Sequence, residues 1–472
     1  MAPERAGGSL EAMQLPDGIV AVVKRDCPTC RLVAPVLEAL AATVISEDDE
    51  TGLETSYRNG IITVPTLLRV EGGRETARIE GWSRPQWEAF TRVEGLGPDL
   101  PEHRPGCGAR AVDPATAREL AVRFGAARLR SRRVELAEQE DEAEACFDRG
   151  WSDGLPVVPP TEGRVLAMLD GTPRPPDEVV AVVPPDLVEC TVEKVAVNAV
   201  LAGCKPEYLP VVLAAVEAAC TDAFNAHGLL ATTYFSGPVV IVNGPIARAI
   251  GMNSGGNVLG QGNRANATIG RALQLVIRNV GGGRPGEVDR ATLGNPGKLT
   301  FCFAEDEEGS PWEPLSVERG FPPGTSTVTL FAGEGPSGIV DQLSRTPDSL
   351  ARSLAAGLRG VAHPKLAIGF DAVLVVSPEH ARVFREAGWD KSRLRKELLE
   401  LLTVHGSELV RGAGECAEGL PEFLADAAVT KFQPEGLLIV HAGGRAGLFS
   451  SIIGGWINGD AGSRPVTLEV ST

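Results

Sequence analysis

The sequence predicts an α/β protein in two unequal parts, on three observations. Short apolar runs suited to buried strands recur at Ile19 to Val23, Val239 to Asn243, Ala372 to Val376 and Gly436 to Val440. Between them lie stretches with the 3.6-residue apolar spacing of helices. Composition then shifts after a charged stretch, where Trp151 opens a proline-punctuated segment. The expected layout is a domain over 1–95, a linker and charged helix over 96–145, and a large α/β domain over 146–472. The last is read as two similar halves, about 155–320 and 325–472, from few identities.

Composition narrows the function classes. A length of 472 residues allows several domains, and 55 glycines with 35 prolines supply many turns. A net charge of −17 argues against nucleic acid as a main partner, because phosphate binding needs clustered Lys and Arg. No apolar run approaches the roughly 18–20 residues of a membrane span. The opening residues to Gly18 lack the apolar core of a signal peptide, so the expected location is cytoplasmic. Nine thinly spread cysteines suit thiols, redox groups or ligands better than a disulfide framework.

Residues 15–95 carry the clearest local chemistry. A strand over Ile19 to Val23 leads to Cys27-Pro-Thr-Cys30, then to a helix with Leu32, Val33, Val36, Leu37 and Leu40 on one face. An acidic segment, Val64-Pro65-Thr66, a strand to Val70, the Gly72-Gly73 turn, a strand over Thr76 to Glu80 and a helix from Arg84 follow. Cys27 would stand at a helix N-terminus, where the dipole lowers a thiol pKa. Cys30, one turn on, could attack a mixed disulfide formed by Cys27. The alternatives are a metal-binding or inert CxxC, and a structural zinc would need two more nearby ligands.

This order of elements and motifs resembles the thioredoxin family over about 80 residues. The resemblance implies a redox-active Cys27–Cys30 disulfide and a cis Pro65 facing the pair, leaving backbone free to receive a substrate strand. Two departures stand out: Asp26 where the family has Trp, and Pro28-Thr29 where it has Gly-Pro. They leave redox potential and partner open.

Residues 96–150 read as turn material followed by charge. Asp113 with Pro114 starts a helix. Arg128 to Arg133 is basic and Glu135 to Glu144 acidic, which most simply makes a solvated helix face. Cys107, within Arg104-Pro-Gly-Cys-Gly108, is read as an incidental thiol, with a third redox partner as the alternative.

The large domain should contain helices over Thr191 to Ala202 and Tyr208 to Ala219, then strands over Leu229 to Tyr234 and Val239 to Asn243. Gly251 to Asn266 holds five glycines and four asparagines in 16 residues, ahead of a helix over Ala265 to Val280. Such a loop reaches unusual backbone conformations and brings free N–H groups to a helix start, the makings of an anion cradle. Asn263, Arg264, Asn266 and Arg271 are its candidate substrate contacts, with His441, Gly443 and Gly444 from a second glycine-rich strand end opposite. Cys204 beside Lys205 is a candidate reactive thiol, and His227 a candidate acid, base or ligand. Glu305, Asp306 and Glu307 end a strand and could hold a divalent metal or act as bases; a plain charged loop is the equal alternative.

Trp151-Ser-Asp-Gly-Leu-Pro-Val-Val-Pro-Pro, Glu189-Cys-Thr-Val-Glu-Lys-Val-Ala, Ala202-Gly-Cys-Lys-Pro-Glu-Tyr, Gly262 to Arg271 and Phe301 to Glu308 together resemble an uncharacterised bacterial protein family. That resemblance implies association with small UGSC- or CGSC-type cysteine or selenocysteine proteins, and so thiol- or selenol-dependent reduction. The expectation is an oxidoreductase in which the CxxC domain supports reduction or reductive cleavage of a small anionic substrate in the large domain. A metal- or thiol-adduct-binding protein, or a metal-dependent lyase or hydrolase, is the alternative. No cofactor is fixed beyond the Cys27–Cys30 disulfide, and homo-oligomerisation stays open.

Overall fold

A computed structural model describes residues 12–124, 129–137 and 139–471. Arg128 and the first eleven residues, which enter two of the sequence expectations, lie outside the described residues. The chain divides into compact units at Leu129/Arg130.

The first unit runs β1 (Gly18–Val23), α1 (Pro28–Ala39), β2 (Thr43–Ser46), α2 (Glu50–Arg58), β3 (Thr63–Val64), β4 (Thr66–Glu71), β5 (Arg74–Glu80), β6 (Trp82–Ser83) and α3 (Arg84–Thr91). Its sheet has the order β2-β1-β4-β5, with β1 parallel to β2 and antiparallel to β4. Alternation along β1 sends Val20 and Val22 into one core with Ile61, Leu68 and Cys27. Ala21, between them, packs in the other core with Val33, Leu37, Leu67, Trp82 and Trp87. A strand buried on both faces reads as a continuous apolar run, which is why Ile19 to Val23 is legible.

The expected linker over 96–145 is corrected here. β7 (His103–Arg104) pairs with β6, β8 (Cys107–Gly108) pairs with β3, and α4 (Pro114–Arg123) completes the same unit. Asp113 caps α4 by accepting the Ala115 and Thr116 N–H groups. The charged stretch after it is not one helix. Residues 129–137 lack helical structure, because the buried Glu193 carboxylate takes the Arg130 and Ser131 N–H groups.

The second unit opens with α5 (Glu142–Asp148), α6 (Glu162–Leu169), β9 (Val179–Val183), β10 (Val188–Thr191), α7 (Val192–Ala202), α8 (Leu209–Ala219) and α9 (Ala226–Ala231). The strand expected over Leu229 to Tyr234 is thus partly helix, started by the Asn225 side chain accepting from Gly228 N–H. Next come β11 (Gly237–Asn243), α10 (Pro245–Ala249), α11 (Arg264–Asn279), β12 (Cys302–Ala304), α12 (Leu315–Glu318) and β13 (Thr327–Val340). The remainder is α13 (Pro347–Arg359), β14 (Phe370–Val376), α14 (Pro378–Glu386), α15 (Lys391–Leu401), β15 (Thr403–His405), β16 (Ala428–Thr430), β17 (Leu437–His441), β18 (Phe449–Ile457) and β19 (Val466–Glu469).

Its main sheet runs β12-β11-β13-β18-β14-β17, with β19 on β13. The order reads alike from both edges. β11 is parallel to β12 and antiparallel to β13, and β14 is parallel to β17 and antiparallel to β18. By this order β13 completes the first set, whereas the expected halves placed 325–340 in the second. Val239, Phe303, Phe331, Val375, Val440 and Ile453, one from each strand of that path, share one core. Asp306 N–H donates to His441 O at 2.8 Å, so the chain just past one edge strand meets the end of the other. No described helix is long and apolar enough to cross a membrane.

Candidate active site

Cys27 is the N-cap of α1, and its Sγ accepts the Cys30 N–H at 3.3 Å. Pro28 at the first helical position suits a helix start that needs no N–H there. Both thiols are buried. Burial pushes the Cys27 thiol up, but hydrogen bonds from the Cys107 thiol and from Cys30 and Thr29 outweigh it, and its pKa lies below the ordinary thiol value. Burial, with the neighbouring Cys27, holds Cys30 far above that value. Cys27 thus ionises more readily than an ordinary thiol, whereas Cys30 is kept protonated.

The Val64–Pro65 peptide is cis, and Val64 O lies 3.5 Å from Cys27 Sγ. The partner on the Val64 side is Cys107. In the two-residue antiparallel ladder Val64 opposes Cys107 and Thr63 opposes Gly108. Cys107 Sγ sits 2.9 Å from Cys27 Sγ, not far beyond the roughly 2.05 Å of a disulfide bond. Thr29, between the two motif cysteines, donates to Pro105 O at 2.8 Å. Asp26 is exposed and lies 3.6 Å from Arg110.

Thioredoxins are similar to this N-terminal region. The thioredoxin of Alicyclobacillus acidocaldarius is 36% identical over 62 residues, 12% of this chain and 59% of the relative. Those of Mycobacterium bovis and Mycobacterium tuberculosis are 36% identical over 61 residues, 12% of this chain and 53% of each relative. The N-terminal region is thioredoxin-like. The chain spans about half the length of the curated relatives it matches. No family model matches the chain.

Beyond the thioredoxin-like region, the structure gathers part of the expected large-domain site. The loop from Gly251 does meet the second glycine-rich strand end: Gly443 N–H donates to Ser254 O at 2.9 Å. Asn263 and Asn266, however, bind the loop's own backbone. Asn263 caps α11 through the Asn266 N–H, and Asn266 both accepts from Asn253 N–H and donates to Asn253 O. The Asn263 side chain thus takes one of the helix-start N–H groups that the anion-cradle expectation left for a ligand. Arg264 donates to Gly203 O, and Arg271 grips Asp153 through two 2.8 Å hydrogen bonds.

Glu305 is buried with its acceptors in use. It receives Asn243 Nδ2 at 2.7 Å and Leu315 N–H at 2.8 Å, and Lys391 Nζ lies 3.7 Å away. Glu307 accepts from Asn243 Nδ2 and Gly244 N–H. Asp306 is turned to His441, whose Nδ1 lies 3.7 Å from the carboxylate. Among the described residues no three His, Cys, Asp or Glu side chains converge to hold a metal, which corrects that grouping. His441 Nε2 and Asn243 Oδ1 are buried without a hydrogen-bond partner, so the strand ends retain unused polar atoms.

Cys204 is buried against Thr268 O, and burial pushes its thiol up to about 12 despite Arg264 and Arg271. The expected help from Lys205 fails, because that ammonium pairs with Glu207 at 3.5 Å. His227 is exposed on α9. A cavity of about 550 Å³ lies instead at the start of β11, lined by Ser236, Gln274, Arg278, Asp289 and Lys298 among others. Its cationic groups had no motif to announce them. Cys107 had a faint one, a cysteine between two glycines.

Proposed function

We propose that the protein is a thiol–disulfide oxidoreductase in which Cys27 attacks a disulfide and Cys30 completes the exchange by closing the Cys27–Cys30 disulfide. The placement of Cys27 carries this reading: it caps the start of α1, its Sγ accepts the Cys30 N–H at 3.3 Å, and Cys30 stands one turn on. The opposed directions of the two thiol pKa shifts agree with those roles. In the balanced reaction the protein dithiol becomes a disulfide and the substrate disulfide leaves as two thiols. The second unit is the proposed holder of a small anionic substrate. The cavity bearing Arg278 supports that role better than the 251–271 loop, whose asparagines bind their own backbone; the cavity's Lys298 is held by Asp289 at 2.8 Å. A small cysteine- or selenocysteine-containing protein is the proposed partner, supported by the resemblance of residues 151–308 alone.

Glutathione disulfide, an anionic disulfide, serves as the probe. The reduced full-length chain should consume it with release of glutathione, and Cys27→Ser should slow consumption at least 100-fold. A Cys27→Ser chain that reacts as fast as the wild type would overturn the reading. Binding of the same probe should weaken at least fivefold in Arg278→Ala; unchanged binding removes the cavity from the proposal.

A further inference from the structure

The groove beside the thiol centre is filled by the chain itself. Residues 101–111 are bonded to it along their length. Trp82 Nε1 donates to Pro101 O, Arg84 N–H to Glu102 O, β6 pairs with β7, β3 pairs with β8, and Ala109 N–H donates to Ile62 O. The approach is backbone-close. A Cβ on Gly106 would meet Thr63 Cγ2 at 2.4 Å and Val64 O at 2.9 Å, and one on Gly81 would meet Gly106 N at 2.9 Å. Within the first unit the cysteines are Cys27, Cys30 and Cys107, and this segment delivers the third into contact with the first.

We propose that residues 103–108 are an internal substrate strand and that Cys107 is a third redox thiol, forming a disulfide with Cys27 that Cys30 resolves. This rests on Cys27 being the nucleophile. With glutathione disulfide as oxidant, the Cys27 thiolate attacks one sulfur, forms the mixed disulfide and releases one glutathione thiolate. Cys107 gives up its proton and attacks Cys27 Sγ, which breaks the mixed disulfide and releases the second glutathione. Cys30, deprotonated, then attacks Cys27 Sγ and expels Cys107 as a thiolate that regains a proton. In sum one glutathione disulfide becomes two glutathiones, and two protein thiols become one disulfide. An external peptide strand and residues 107–108 require the same Val64 edge, so entry of a protein substrate requires this segment to lift.

The test uses the full-length Cys30→Ser variant, reduced and given one equivalent of glutathione disulfide. After acid quenching and alkylation, peptide mass spectrometry identifies the disulfides. The proposal expects two glutathiones released per chain and a Cys27–Cys107 cross-link. Adding Cys107→Ser should halve the release and leave Cys27 joined to glutathione. Adding Gly106→Val, which cannot keep the close approach, should cut the cross-link at least tenfold. A Cys30→Ser chain that releases one glutathione and leaves Cys107 open to alkylation overturns the proposal while Cys27 chemistry stands. If wild type and Cys27→Ser consume the probe equally, the underlying oxidoreductase reading falls instead.

Discussion

Glu47 and Arg110 are joined by a backbone hydrogen bond of 2.7 Å to the Glu47 carboxylate, which also accepts Ala111 N–H at 3.3 Å and Ser56 Oγ at 2.5 Å. Glu47 is 2% exposed, so this one side chain ties the end of β2, α2 and the segment after Cys107 together in a dry environment. Glu47→Ala should destabilise the first unit by about 2–3 kcal/mol, because buried N–H groups lose a charged acceptor. Urea unfolding of the full chain measures it, and Glu47→Gln, which keeps one acceptor oxygen, should cost less.

Thiol titration should separate the two motif cysteines. Cys27 ionises below the ordinary thiol value, so its alkylation by iodoacetamide should rise with pH and reach half its maximum below pH 9. Cys30 should resist alkylation throughout that range, since burial holds it protonated. Cys107→Ala removes the leading stabiliser of the Cys27 thiolate, so the Cys27 curve should move to higher pH. A curve unmoved by that substitution would show that the Cys107 contact does not act on Cys27.

Arg271 and Asp153 form a two-point pair across 118 residues, with side chains 13% and 10% exposed. Burial pushes Asp153 up, but the Arg271 hydrogen bond and charge win and its pKa falls below the ordinary value. A depressed carboxylate stabilises the fold above its unfolded pKa of about 3.9 and loses that contribution as pH falls through the folded value. Arg271→Ala should therefore cost about 3 kcal/mol at neutral pH, as when a buried pair loses one partner. The gap to wild type should narrow below about pH 4 in chemical denaturation.

Asn266 should behave as a loop anchor. Its amide closes two hydrogen bonds of 3.0 and 2.9 Å on the backbone of Asn253. Asn266→Ala should cost about 1–3 kcal/mol and speed amide exchange over residues 251–257, measured by hydrogen exchange with mass spectrometry. Affinity for glutathione disulfide should be unchanged. A large affinity loss would instead make Asn266 a ligand contact.

The sequence by itself determined what is written locally. Buried strands such as β1, β11, β14 and β17 appear as apolar runs, and α1 and α11 as helical periodicity. The CxxC at a strand-to-helix junction, with Val64-Pro65-Thr66 downstream, placed the thiol pair without any knowledge of contacts. Only the tertiary structure decided who meets whom. Cys107 reaches Cys27 across 80 residues, Arg271 reaches Asp153 across 118, and Asn243 reaches Glu305 across 62. Such partnerships leave no local period, and a buried polar group must find a hydrogen bond wherever the folded chain offers one. Hence Asn263 and Asn266, conspicuous in a glycine-rich loop, bind their own backbone. Cys107, inconspicuous between two glycines, stands in the thiol centre because glycine alone permits that close an approach.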